Sequence, residues 1–130
     1  MPQFFMYTTP DPDAVQPEPT QELFDDMEKL ITEGFANGTL VATGSLDPHV
    51  TKIVYRNGGF TLTDGPFTEA KELVVGWAIV KVDSKEEAIA LSKRFWRLVG
   101  DGSGIIQRIY EPGEGPFGDI QVATPTTSVA

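Results

Sequence analysis

The sequence predicts an α+β domain in which two helices cover one face of an antiparallel sheet. Three observations predict it. Apolar residues recur at helical spacing in two segments, each opened by a capping residue and followed by glycine. Four other segments are apolar or alternating and of strand length, and Asn57-Gly58 joins two further extended runs as a hairpin signal. These segments come in the order β-α-β, hairpin, β-α-β.

Gln3–Thr8 ("QFFMYT") is a short aromatic strand. The four prolines of "TPDPDAVQPEP" then exclude regular structure. Thr20 is placed to N-cap a first helix, with Glu22 in its first turn where the dipole favours an acid. Leu23, Met27, Leu30, Ile31 and Gly34 share one face of it, and Asp25, Asp26, Glu28, Lys29 and Glu33 the other. Asn37-Gly38 stops the helix. Leu40–Leu46 reads as a strand broken by Gly44, "VTKIVYRNGGFTLTDG" as the hairpin, and Leu73–Val82 as the next core strand. Ser84 and Glu87 form a capping box for the second helix, whose buried stripe is Ala88, Leu91, Ser92, Phe95 and Leu98 or Val99. Gly100-Asp101-Gly102 ends it, and "GIIQRIY" is the closing strand. The whole is a ferredoxin-like split βαβ plan with an inserted β-hairpin, spanning residues 1–119, with 120–130 expected as a disordered tail.

At 130 residues the chain makes one ordinary domain. It carries 19 acidic against 10 basic side chains, a net charge of −9, so neither nucleic acid nor anionic membrane is an expected partner. Lys93, Arg94 and Arg97 read as a solvated helix face. No apolar run is long enough to span a bilayer, and "MPQFFMYTTP" lacks the basic flank and apolar length of a signal peptide. There is no cysteine, hence no disulfide, thiolate nucleophile or Cys-ligated zinc, and a cytoplasmic location is expected.

A sheet covered by helices on one side only should alternate apolar with polar. These strands do not. Phe4 and Met6 oppose Phe5 and Tyr7; Val74, Ala78 and Val80 oppose Leu73, Val75, Trp77 and Ile79; Ile106 and Tyr110 oppose Ile105 and Ile109. Two helices cannot cover both faces. A second copy packing sheet against sheet is the economical cover, because the proline-rich loop, the hairpin and the tail read as too polar to serve.

"TDGPFTEAKE", Thr63–Glu72, is the densest local motif. One reading is a rigid corner: Asp64 bonds turn amides, Gly65 takes unusual dihedrals, Pro66 fixes the exit and Phe67 plugs the core. The other is a binding site, with Asp64, Glu69, Lys71 and Glu72 forming a polar rim, although such charges also make ordinary surface ion pairs. Tyr7 and Trp77, on the face assigned to the dimer interior, either line a small pocket or fill it. His49 is the single histidine; Asp47 is near, but no metal partner stands at fixed spacing, so no metal site is expected. Neither a G-x-S-x-G serine, a P-loop nor a dinucleotide fingerprint is present, and no cofactor is expected.

Asp64, Gly65, Pro66, Phe67, Glu69, Lys71, Glu72, Gly76 and Trp77 carry a resemblance to the YCII-related proteins of the DGPF type, small bacterial proteins with an Asp-Gly-Pro-Phe signature. It extends through "ANGTLVATGSLDP" upstream and "IIQRIYEPGEGPFGD" downstream. The resemblance implies a dimeric α/β barrel, two ferredoxin-like subunits with their sheets facing. Relatives in the wider group have a proposed catalytic His–Asp pair with the histidine near the start of the first helix. The corresponding stretch here, "TQELFDDMEKL", has no histidine, so that pair does not carry over. What remains is a small-ligand or partner-binding module. The alternative is a cofactor-independent enzyme acting on a small, often aromatic, molecule in the barrel cleft.

Overall fold

A computed structural model describes residues 1–9, 11, 13–14, 18–47, 49–65 and 76–117. The elements are β1 (Gln3–Thr9), α1 (Gln21–Ala36), β2 (Leu40–Ser45), β3 (Thr51–Arg56), β4 (Gly59–Asp64), β5 (Gly76–Lys81), α2 (Lys85–Val99), β6 (Ser103–Ile109) and a 3-10 turn at Gly115–Phe117. Four strands form a sheet in the order β2-β5-β1-β6, with every neighbouring pair antiparallel. That is the strand order of the split βαβ plan, and β3-β4 stands apart as a hairpin.

The helix ends follow their sequence signals. The Thr20 hydroxyl accepts the Leu23 N–H at 3.1 Å and the Ser84 hydroxyl accepts the Glu87 N–H at 3.2 Å. Glu87 reaches back to the Asp83 N–H at 2.8 Å, one residue beyond the capping residue itself. Gly100 closes α2 at φ 94°, a conformation that favours glycine.

Alternation sorts the strands as expected. Phe4 and Val80 are buried beneath the helices with Val82 and Ala88, and Met6, Leu40, Leu91 and Ile106 pack around them. Phe5, Tyr7 and Trp77 lie on the opposite face, with ring centroids 5.0 Å (Phe5–Tyr7) and 6.3 Å (Phe5–Trp77) apart. Gly44 does not break β2; it continues the strand opposite Trp77. Its missing side chain has a different cause, because a Cβ there would come within 3.0 Å of the indole nitrogen. The irregularity falls instead at Val41, between the pairs Leu40–Val80 and Ala42–Ile79. The expected strand residues Leu73–Val75 lie outside the described residues, as does 120–130.

Trp96 of α2 was not assigned a role by periodicity. It packs edge-on to Phe95, centroids 5.1 Å apart, and covers Gly102, where a Cβ would collide with its ring, while a Cβ at Gly104 would meet the Tyr7 carbonyl at 2.8 Å and the Trp96 ring at 3.2 Å. The two helices are joined by Arg94 and Glu33, which meet at 2.8 and 3.4 Å. The hydrogen bond from Arg94, and then its charge, hold the Glu33 carboxyl below its ordinary pKa. A lowered carboxyl contributes stability that is complete above the ordinary glutamate range and is lost as pH falls through the lowered value. Arg94→Gln should therefore flatten the acid limb of a melting-temperature profile taken from about pH 7 to about pH 3. Because both groups face solvent, the effect should be small and should fade in high salt.

Candidate functional site

Most of the apolar stripe of each helix borders a cavity. Leu23, Met27, Leu30, Ile31 and Gly34 of α1 are all half-buried and none is fully buried. Between them and the sheet lies a partly open cavity of about 520 Å³. Met6, Ala78 and Val80 floor it, Met27 and Leu30 form one wall, and Phe95 the other. A volume of this size, mostly apolar with a few polar groups, is what small-molecule sites have.

The polar groups at its border are mainly hydroxyls. Thr8 is committed to β5: its Oγ1 accepts the Gly76 N–H at 2.9 Å and donates to the Gly76 carbonyl at 3.5 Å. Thr43 donates to the Trp77 carbonyl at 2.8 Å, and the Thr39 hydroxyl to Asn37 Oδ1 at 2.6 Å. Ser45 and Ser92 remain as hydroxyls to meet a guest. No carboxylate, ammonium, guanidinium or imidazole lines the cavity among the described residues.

Among the described residues, those singled out in the sequence as binding candidates do not bring a polar side chain into it. Trp77 and Tyr7 border the cavity through their strands, but their rings belong to the aromatic row on the other face. His49 lies at the surface, its Nδ1 2.8 Å from Asp47 Oδ1. The Asp47 carboxyl is held below its ordinary pKa, first by the His49 backbone N–H and then by the imidazole. Among the described residues no three His, Asp or Glu side chains gather as a metal site.

Asp64 and Gly65 have a defined task. The Asp64 carboxylate accepts the Thr51 hydroxyl at 2.9 Å across the last pair of the hairpin, and the Gly65 N–H donates to the Val50 carbonyl at 2.8 Å. Gly65 is buried at φ 103°, where a Cβ would be strained. The Asp-Gly half of the motif thus clamps the base of β3-β4. Pro66 to Val75, with Glu69, Lys71 and Glu72, lie outside the described residues.

The model of the YCII-related domain matches residues 3–110, from the start of β1 to just past the end of β6. The chain belongs to the YCII-related family. No curated protein matches it. As a YCII-related domain it carries the expected α+β architecture with antiparallel strands and two helices. No described helix is long and apolar enough to cross a membrane.

What the sequence could not supply is the cavity. The helical stripe marks which residues turn inward, but not whether their opposite numbers reach them. Small residues in the stripe and opposite it were the available signal: Gly34 on α1, and Ala78, Gly76 and Gly104 on the sheet, all border the space.

Proposed function

We propose that this YCII-related chain is a homodimeric binding protein for a small, neutral, largely apolar molecule held between its helices and its sheet. The observation that carries this reading is the cavity of about 520 Å³ with hydroxyls as its free polar groups. A ligand with an ionised group would lose its hydration there and find no counter-charge among the described lining residues. The same lack of a positioned acid or base favours binding over proton-transfer chemistry.

The dimer rests on the second sheet face. Phe5, Tyr7, Trp77 and Ile79 point away from both helices, and a copy packing its own sheet there would complete a dimeric α/β barrel. The cavity then lies outside the barrel, one in each subunit.

Nile red, a neutral apolar fluorophore, tests the ligand class. It should bind saturably, and Ala78→Phe, which fills the cavity floor, should weaken it at least about tenfold without lowering the melting temperature. Trp77→Phe, on the opposite face, should leave probe binding unchanged. Equal binding by wild type and Ala78→Phe would overturn the reading.

A further inference from the structure

Thr51–Asp64 forms a hairpin that makes no extensive contact with any other helix or strand among the described residues. An isolated two-stranded hairpin is marginal in water and needs a third strand or a packing surface. This one has an apolar side made for packing. The register Ile53–Leu62 and Tyr55–Phe60 puts all four side chains on one face, each 62–70 % exposed, with the two rings 4.7 Å apart. Lys52, Val54, Arg56, Thr61 and Thr63 take the other face. The reading of the hairpin as too polar to cover the second sheet face rests on its overall composition, which is mixed; the period of two gathers its four large exposed apolar side chains on one side.

The geometry points to an interface arm: each hairpin lays Ile53, Tyr55, Phe60 and Leu62 on a second copy of this chain. The inference rests on the dimer proposed above and extends it. Three arguments select this occupant. Four large side chains at this exposure present on the order of 500 Å² per chain, taking roughly 150–250 Å² for a fully buried aromatic. Exchanged between two copies, that is on the order of 1,000 Å² before any sheet contact, the threshold for a stable interface. The second argument is charge. With Lys52 and Arg56 against Asp64, the hairpin is net positive in a chain of net charge −9, so it is attracted to the rest of another copy where most of the chain is repelled.

The third is continuity. β2 ends at Ser45, opposite Gly76 and one residue from the Gly44–Trp77 pair, and the hairpin begins at Thr51. The arm is therefore tethered, through residues 46–50, to the strand end next to Trp77 in the aromatic row proposed for the dimer. The clamp at its base, Asp64 to Thr51 and Gly65 to Val50, fixes its strands to each other, with the Thr51–Asp64 pair forming the polar end of the face that carries the four apolar side chains.

Hydrogen exchange of the wild-type chain across a hundredfold range of protein concentration, with sedimentation in parallel, tests this. Protection of the amides of Ile53–Phe60 should rise with concentration in step with dimer formation. Phe60→Asp should weaken dimerisation about a hundredfold, through burial of an unpaired charge. A wild-type chain that stays monomeric overturns both the dimer and the arm. A dimer whose hairpin protection does not change with concentration, whether high because its own subunit covers it or low because nothing does, overturns the arm alone. If Phe60→Asp fails to fold, the wild-type exchange profile still decides.

Discussion

In the proposed homodimer, Trp77→Asp is expected to leave the chain monomeric, with self-association weakened at least a hundredfold, roughly 3 kcal/mol. β5 is an inner strand of the sheet, between β2 and β1, and Trp77 sits on it with Gly44 beneath the indole and Phe5 beside it. A second sheet laid on this row would exclude water from position 77, and a carboxylate there would have no partner. Trp77→Phe keeps the apolar ring and should remain dimeric. Sedimentation at micromolar concentration distinguishes the two. A Trp77→Asp chain that stays dimeric would show that the two subunits meet elsewhere.

The helices were legible because their signals are local. Thr20, Ser84, Asn37-Gly38 and Gly100 each act within one turn, and all four work as their types require. The hairpin was legible for the same reason: Asn57 takes φ 51° and Gly58 φ 78°, conformations that this residue pair supplies and most others resist. The alternation of β1 and β5 also declared two apolar faces. What sequence did not resolve were relations between segments. Gly44 looked like a strand breaker because its partner Trp77 lies 33 positions further on, and only the register explains the missing side chain. Trp96 has no place in the helical stripe because the glycine its ring covers, Gly102, follows the helix end. The cavity is of the same kind, since it depends on how far α1 stands from Ala78 and Val80, a distance that periodicity does not encode.

Adjacent residues of β1 should give different failures. Phe4 is 5 % exposed, paired with Val80 in the packed core beneath the helices. Phe4→Ala should cost about 3–5 kcal/mol, the usual penalty for emptying an aromatic site. That is a large part of the roughly 5–15 kcal/mol that holds a domain of this size together. The loss belongs to the folded subunit, so the denaturation midpoint should fall by the same amount at low and at high protein concentration. Phe5 faces the other way, half-buried beside Tyr7 and Trp77. Phe5→Ala should cost little at a concentration where the wild-type chain is already dissociated, and more where it is dimeric, because dimer stability adds by mass action. Urea denaturation at two concentrations a hundredfold apart measures both effects. Equal, concentration-independent losses at Phe4 and Phe5 would mean that each is simply core, with both sheet faces covered inside one subunit. A concentration-dependent loss at Phe5 alone places the second copy on the aromatic face, the side of the sheet opposite the core packed beneath both helices.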